Sequence, residues 1–445
     1  MSAGAKSREL HGAGPAKAAS KTAGGNKAGL RRAAPKAVSW REAEPSLAEV
    51  CRRHPDFPRL VALKIDVQRR GAAYTPSALA AVDPARHMTA VRSDYYDKED
   101  LSPVSFSLRD GTLVFTEGVL APSDREPYVV DAEGDRIFLT DQGQVLEEVF
   151  YWEKPQYYDQ TTSSGRPMWQ IVSARPQRLT IHPYQFCDFW KLRGQGCKFC
   201  VMASNFRAGR KAALLAVDDV VETVAEALKE PGRNVNIFLT GGTRLEGAEP
   251  LDAELACYLQ ILKPLTKLFG GRKFPSQLIS TAFAPNQLRR LHEETGLTGW
   301  TADLEVLHPR LFEWICPGKA RTVGYETWKA RLAAAVEIFG RGRVNTGLVG
   351  GVEMAAPHGF ADENEALAST LTEAENLLRQ GVWVVSCVWR VLKGSVFAGQ
   401  KAPSLEYYVR LAQGLDSLRR AYGLEADLDD WRRCGNHPDT DLARA

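Results

Sequence analysis

The sequence has few cysteines and no long apolar run. Eight cysteines among 445 residues are too few for a disulfide-stapled scaffold. The longest apolar stretch, from about residue 382 to 389, is far shorter than the roughly 20 residues that cross a bilayer. The amino-terminal segment has no apolar signal-peptide core. We therefore expect no membrane span and a cytoplasmic location, where clustered cysteines bind metal or do redox chemistry.

Charge is distributed unevenly along the chain. Residues 1–36 hold eight Lys and Arg against one acid, so the remainder carries 49 basic and 53 acidic residues. The overall composition, 44% hydrophobic and 25% charged, is that of a globular protein. The Ala-, Gly- and Lys-rich start lacks apolar periodicity, which predicts a disordered basic tail over residues 1–38. The net negative body argues against a nucleic-acid partner.

The segment over residues 39–176 contains short β-rich runs separated by turn dipeptides. A tight turn at Asp110-Gly111 lies between two such runs, which predicts a β-hairpin. Further runs extend to about residue 152. We expect a β-rich, antiparallel accessory region here, and a carboxyl-terminal cap or tail over residues 426–445.

From residue 177 onward the pattern changes to alternating strands and helices. The predicted strands cover 178–181, 235–239, 277–281, 301–307, 344–352 and 382–391. Six such strand–helix units favour a parallel sheet with right-handed crossovers. The sequence therefore predicts an α/β fold over residues 177–425, a partial or complete (β/α)6-type barrel. In such barrels the chemistry lies at the carboxyl ends of the strands.

Three cysteines follow the first of these strands. They are Cys187, Cys197 and Cys200, and the last two form a C-x-x-C pair. A structural zinc site takes four protein ligands, whereas an iron–sulfur cluster held by three thiolates leaves one iron open. The spacing leaves three interpretations: a cluster, a zinc site completed by His182 or a distant cysteine, or unliganded thiols.

This cysteine segment, with the residues that follow to about 425, resembles the radical S-adenosylmethionine (SAM) superfamily. Members carry three cysteines in the loop after the first barrel strand, usually spaced C-x3-C-x2-C, with an aromatic residue before the last. Phe199 precedes Cys200 in the same way. Nine residues rather than three separate Cys187 from Cys197, so the spacing is atypical and assigns no subfamily.

The resemblance extends to the ends of later strands. Gly241-Gly242-Thr243 is similar to the Gly-Gly-Glu segment that receives the SAM methionine group, with Thr in place of Glu. Glu305 occupies the strand position at which relatives bind the SAM ribose or methionine. The strand with Gly347 and Gly351 resembles the one that lies against adenine. A basic loop beyond Cys316 offers two candidates for the SAM carboxylate, Lys319 and Arg321.

The resemblance implies a radical SAM enzyme with a [4Fe-4S] cluster on Cys187, Cys197 and Cys200. It implies reductive cleavage of SAM to a 5′-deoxyadenosyl radical, with electrons from a donor such as flavodoxin or ferredoxin. The substrate, a small molecule or a peptide, is not identified by the sequence. Glu353 and Arg390 are the catalytic candidates, and His308 is a further candidate for substrate contact.

Two other functions stay open at this point. One is a zinc-bearing nucleic-acid-binding module, and the other is a non-catalytic iron–sulfur scaffold. Among the remaining cysteines, Cys257 and Cys387 are predicted to be buried and inert, whereas Cys316 and Cys434 are predicted in polar loops. A bulky side chain at Gly242 is expected to weaken SAM binding without loss of iron, because glycines permit close approach of a ligand.

Overall fold

The computed structural model describes residues 44–89, 102–103, 105–116, 125–175, 177–202, 214–247, 249–269, 275–424 and 435–444. All of them belong to one compact unit, residues 40–445. The predicted basic tail and Cys434 lie outside the described residues. No helix in the described ranges is long and apolar enough to cross a membrane.

The amino-terminal part is a six-stranded sheet with three helices. The described elements are α1 (Leu47–Arg53), α2 (Arg59–Arg70), β1 (Ala72–Tyr74), α3 (Pro76–Ala80), β2 (Ser105–Leu108), β3 (Leu113–Phe115), β4 (Tyr128–Glu133), β5 (Arg136–Asp141) and β6 (Gln144–Tyr151). The sheet has the order β1-β4-β5-β6-β2-β3. The pair β1 and β4 is parallel and the other pairs are antiparallel, so the expected antiparallel sheet is in fact mixed.

Helix α2 was not anticipated from the sequence, which shows a β-rich region here. Its residues from Val61 to Arg70 are all buried. Val61 and Ile65 pack into the core of the following domain, whereas Leu63 and Val67 pack into the core of the six-stranded sheet. Because apolar residues face both ways, the helix lacks the single apolar stripe of a surface helix.

The second sheet contains the predicted parallel array. Its seven strands are β7 (Val172–Arg175), β8 (Arg178–Ile181), β9 (Asn236–Thr240), β10 (Ser276–Ile279), β11 (Gly299–Thr301), β12 (Val344–Gly350) and β13 (Val382–Val388). They have the order β13-β12-β11-β10-β9-β8-β7 in the sheet. Strands β8 to β13 are parallel, and β7 is antiparallel to β8. The sheet curls into a half-barrel, which confirms the predicted fold class in its partial form.

Helices follow the parallel strands as the pattern predicts. They are α4 (Val217–Ala227), α5 (Asp252–Leu268), α6 (Pro285–Thr295), α7 (Pro309–Ile315), α8 (Pro317–Thr322), α9 (Tyr325–Phe339), α10 (Glu363–Arg379) and α11 (Leu405–Ala421). Helix α8 covers the stretch predicted as a basic loop, and that prediction is wrong. Proline at the first turn starts α8, a position where a missing N–H costs no hydrogen bond.

The two faces of the parallel sheet differ in polarity. Leu179 and Ile181 of β8 belong to the apolar core shared with the helices. Their alternate neighbours on β8 are Arg178 and Thr180, and the Arg178 guanidinium lies 4.0 Å from the centre of the Phe238 ring. Since side chains alternate across a strand, the face away from the helices is the more polar one. This concave face leads to the strand ends where the site lies.

A short carboxyl-terminal segment covers the edge strand β13. Its helix is α12 (Pro438–Asp441). Asp439 accepts a hydrogen bond from the Ser386 backbone N–H at 3.0 Å and pairs with Arg419 at 2.5 Å. Asp441 pairs with the buried Lys64 of α2 at 2.5 Å. The segment therefore packs against the edge strand of the half-barrel through Asp439 and contacts the amino-terminal part through Asp441.

Candidate active site

The cysteine loop leaves the carboxyl end of β8. Within the nine-residue insertion, Asp188–Trp190 form a 3-10 turn and Phe189 is buried. The ring of Trp190 occupies the space where a Cβ on Gly196 would lie, and Gly194 has φ of 70°, which favours glycine. The insertion therefore folds back on itself and returns the chain toward Cys187.

The three predicted ligands, Cys187, Cys197 and Cys200, lie close enough to interact electrostatically. Burial raises the pKa of the Cys187 thiol to about 12, and the nearby Cys197 adds to that rise. Burial raises the pKa of Cys200 to about 12 as well, again with a contribution from Cys197. Thiols in such surroundings stay protonated unless a metal takes the place of the proton.

The donor set itself can be compared with the two metal centres that the sequence suggests. A zinc ion takes four ligands around one centre, whereas a cluster can be held by three thiolates spread over several irons. Among the described residues, no three Cys, His, Asp or Glu side chains form a ready single-ion site. Burial lowers the pKa of His182, the suggested fourth zinc ligand, to about 3. Three thiols in one loop are the donor set of a cluster that leaves one iron open.

The Gly241-Gly242-Thr243 segment at the end of β9 packs directly against the cysteine loop. The Asp188 N–H donates to the Thr243 carbonyl at 2.9 Å, and the Leu245 N–H donates to Asp188 Oδ2 at 3.0 Å. A Cβ on Gly242 would lie 2.5 Å from the Cα and Cβ of Cys187. Neither glycine has a positive φ, so Gly242 is required for close approach of the cysteine loop.

Glu254 in the first turn of α5 joins two strand ends, a role that sequence reasoning missed. Its carboxylate accepts from the Thr281 N–H at 2.7 Å and the Thr281 hydroxyl at 2.8 Å. It also accepts from the Arg244 N–H at 3.2 Å, and burial raises its pKa to about 7. The sequence signal that could have revealed this role is an acidic residue beside Leu255 and Tyr258 on an otherwise apolar helix face.

Glu305 follows β11 in a strained backbone conformation. Its φ is 69°, a left-handed value that is uncommon outside glycine and often marks a functional position. Its Oε1 accepts from Lys319 Nζ at 2.6 Å, and the same ammonium donates to the Asp303 carbonyl at 2.6 Å. Burial raises the pKa of Glu305 to about 7, and Lys319 opposes that rise. Lys319 is thus a largely buried partner of Glu305, while Arg321 is exposed.

Gly347 on β12 approaches Asp303. The Gly347 N–H donates to Asp303 Oδ1 at 2.7 Å, and a Cβ on Gly347 would lie 2.7 Å from that oxygen. The absence of a side chain at Gly347 therefore makes room for the carboxylate of Asp303, beside the Glu305–Lys319 pair.

Cys316 lies between α7 and α8, fully buried. The prediction of a polar loop is wrong here, because Cys316 packs beneath the cysteine loop. Its side chain is in hydrogen-bond contact with Cys197, which lowers the pKa of Cys197. A fourth cysteine therefore adjoins one of the three predicted ligands, Cys197, although 119 positions separate the two in the sequence.

The two catalytic candidates are placed differently. The Glu353 carboxylate accepts from the Gly351 N–H at 2.8 Å, from Thr370 at 3.4 Å and from the Tyr407 hydroxyl. These donors place Glu353 between α10 and α11, where it ties the helices to the end of β12. Arg390 follows β13 and is half-buried.

The remaining candidates are Phe199, Gly351 and His308, and each has different neighbours. Phe199 is half-buried against the main core. Gly351 has φ of 97°, and a Cβ there would lie 2.6 Å from the Tyr408 hydroxyl. His308 caps α7 by accepting from the Leu311 N–H at 3.4 Å. It lines a cleft of about 580 Å³ with Trp314, His358 and Phe360.

No family model matches the chain. The chain is 24% identical over 330 residues to bacteriochlorophyllide c C-7(1)-hydroxylase of Chlorobaculum limnaeum, spanning 68% of this chain and 76% of that protein. This similarity confirms the resemblance to the radical SAM superfamily that the sequence predicts.

Two solved structures of radical SAM enzymes show weaker likeness. Methylornithine synthase has a TM-score of 0.36 at 16% identity, covering 55% of this chain and 69% of that one. A radical SAM methyltransferase from Sphaerobacter thermophilus has a TM-score of 0.39 at 17% identity, covering 89% of this chain and 98% of that one. The similarity to the hydroxylase supports an enzyme of this class, with an unspecified reaction.

Proposed function

We propose that this radical SAM enzyme binds a [4Fe-4S] cluster through Cys187, Cys197 and Cys200 and binds SAM beside it. The observation that carries the proposal is how the segments that follow two neighbouring strands, β8 and β9, pack together. The three thiols lie in the loop after β8, and the Gly242 segment after β9 packs against that loop. Three thiolates leave one iron of a cubane open to a further ligand.

When bound, the reduced cluster supplies the electron that cleaves SAM to methionine and a 5′-deoxyadenosyl radical. The chain's own residues position the two groups and exclude water. Glu305 and Lys319 form a largely buried pair at the end of β11, and they offer one charge of each sign to SAM. Lys319 suits a carboxylate, and Glu305 suits a ribose hydroxyl or an amino group. The exposed Arg321 is less suited to either role.

The substrate enters, on this proposal, through the cleft beside His308. The cleft lies beyond the carboxyl ends of β11 and β12, where a parallel α/β sheet holds its ligands. Its volume of about 580 Å³ is within the usual range for small-molecule sites. Trp314 joins the cleft to the cysteine loop, because Lys198 Nζ donates to the Trp314 carbonyl at 2.5 Å. A small molecule, or one residue of a peptide, fits such a cleft.

A second candidate function is a non-catalytic iron–sulfur scaffold. One observation favours it: the fourth buried cysteine, Cys316, in contact with Cys197. If four cysteines held the cluster, every iron would be closed and SAM would have no open site.

Anaerobic purification followed by iron, sulfide and zinc analysis tests both functions. Dithionite and SAM are then added, and methionine and 5′-deoxyadenosine are measured. We expect about four irons per chain and SAM cleavage supported also by a flavodoxin or ferredoxin donor. Zinc without iron contradicts the proposal, and iron without SAM cleavage favours the scaffold.

Single alanine variants identify the ligands. Replacement of Cys187, Cys197 or Cys200 is expected to remove most iron and all SAM cleavage, since three ligands have no redundancy. The matched control is Cys51→Ala on α1, which is expected to retain both. Full iron and activity in Cys187→Ala would contradict the assignment of the nine-residue loop.

A further inference from the structure

Cys316 is the buried cysteine that the proposed cluster does not use. It ends α7, where its N–H donates to the Phe312 carbonyl at 2.8 Å. It also precedes α8, where its carbonyl accepts from the Ala320 N–H at 3.0 Å. None of its surface is exposed. The backbone on both sides of Cys316 is therefore fixed by helical hydrogen bonds.

Two cross-connections hold this junction against the cysteine loop. The Lys198 N–H donates to the Ile315 carbonyl at 2.9 Å, and the Gly318 N–H donates to the Gln195 carbonyl at 2.9 Å. Ile315 and Gly318 lie on either side of Cys316 in the chain. Gln195 and Lys198 lie on either side of Cys197. The registration of the two segments thus sets Cys316 opposite Cys197.

Steric packing fixes the same registration. A Cβ on Gly318 would lie 2.5 Å from the Phe189 ring and 2.6 Å from the Gln195 carbonyl oxygen. The junction therefore approaches the nine-residue insertion as closely as glycine allows. Because both backbones are fixed, Cys316 stays opposite Cys197, whose pKa it lowers.

We propose that Cys316 is a positioning residue whose S–H donates a hydrogen bond to the Cys197 sulfur and raises the reduction potential of the cluster. This inference rests on the proposed function. Reduction adds one negative charge to the cluster, and that charge is shared with the thiolate sulfurs. A donor at one sulfur stabilises the reduced form more than the oxidised form, and hydrogen bonds to sulfur are a known determinant of cluster potentials.

The energetic consequence concerns SAM cleavage. Electron transfer into SAM requires a strongly reducing cluster, whereas loading that electron from a biological donor becomes easier at a higher potential. A donor at Cys197 therefore eases reduction by flavodoxin or ferredoxin. Loss of the donor should slow cleavage more with such a protein donor than with dithionite in excess.

The test compares Cys316→Ala, Cys316→Ser and the control Cys51→Ala, each reconstituted anaerobically. Iron and sulfide are measured first, and the reduction potential is then measured by titration followed by electron paramagnetic resonance, without SAM. We expect full iron in all three. The potential should become more negative in Cys316→Ala, stay nearer the wild-type value in Cys316→Ser because its hydroxyl still donates, and stay unchanged in Cys51→Ala.

An unchanged potential in Cys316→Ala overturns the inference, as does loss of the cluster in either Cys316 variant, which would make Cys316 a ligand. These failures differ from failure of the proposed function. In that case the wild-type chain itself would carry no iron cluster or would not cleave SAM, and no potential would be compared.

Discussion

Replacement of Gly242 by alanine tests the packing of the proposed cluster loop. The added Cβ would lie 2.5 Å from the Cα and Cβ of Cys187 and would also overlap the Phe186 carbonyl oxygen. To restore an ordinary contact of 3.4 Å, the backbone has to move by about 0.9 Å at Cys187 and by about 1.4 Å at the Phe186 carbonyl, which would lie 2.0 Å from the Cβ. Both obstacles include backbone atoms, so a side-chain rotation cannot relieve them.

The displacement falls on a predicted cluster ligand. Over-packing of this kind typically costs about 1–3 kcal/mol, and in a chain of this size that lowers the melting temperature by a few degrees. The Asp188-to-Thr243 hydrogen bond of 2.9 Å connects the same two segments and would be strained. We therefore expect Gly242→Ala to lose iron as well as SAM binding. This replaces the sequence-based expectation that iron is retained.

The assay is iron and sulfide content after anaerobic reconstitution, with thermal unfolding of the same sample. Gly241→Ala is the matched control, because its Cβ would lie 2.9 Å from the Tyr184 carbonyl oxygen and 3.3 Å from the Tyr258 hydroxyl. Its overlap is smaller and does not involve a cysteine. Full iron and an unchanged melting temperature in Gly242→Ala would refute the packing on which the reasoning depends.

Three further predictions concern buried groups. The pKa of Glu254 is about 7 in the folded chain against an ordinary 4.5, so its stabilising contribution is present below pH 4.5 and is lost as pH rises through 7. Relative to Glu254→Gln, the wild-type chain should lose about 2 kcal/mol of unfolding free energy between pH 5.5 and 8.5, and a constant difference would contradict this. Glu305→Gln should retain iron but weaken SAM binding by about 1.5–3 kcal/mol in calorimetry; unchanged affinity would remove Glu305 from the site. Cys257→Ala should retain the cluster at a packing cost of about 1 kcal/mol, and loss of iron would show that this helix cysteine contributes to the centre.

The sequence predicts elements well where their boundaries are local. Helix α9 ends at Phe339 because Gly340, which follows it, adopts a φ of 94°, and a glycine at this place is a helix-end signal visible in the sequence. Strand β8 likewise matches its prediction over 178–181. Strand β11 was predicted to continue to residue 307 but ends at Thr301. The alternation around Glu305 is typical of a strand, and only the backbone reveals that Glu305 turns with a positive φ.

The contacts that the sequence does not predict are those between distant segments. Glu254 binds groups at the ends of two strands, and Cys316 meets Cys197 across 119 positions. The local sequence pattern shows only which face of each helix is apolar and which is polar. Which groups meet depends on the registration of α5, α7 and α8 against the sheet, and that is a property of the folded chain.

The atypical cysteine spacing illustrates the difference between sequence distance and spatial distance. The extra residues between Cys187 and Cys197 fold as a 3-10 turn and a turn in which the Gln195 N–H donates to the Leu192 carbonyl at 3.1 Å. The loop thus closes on itself, and its buried residue Phe189 fills the space beneath Gly318. A shorter loop would have no side chain there and would not contact α8. The longer spacing therefore keeps three cysteines together and also joins them to the helix that carries Lys319, the partner of Glu305.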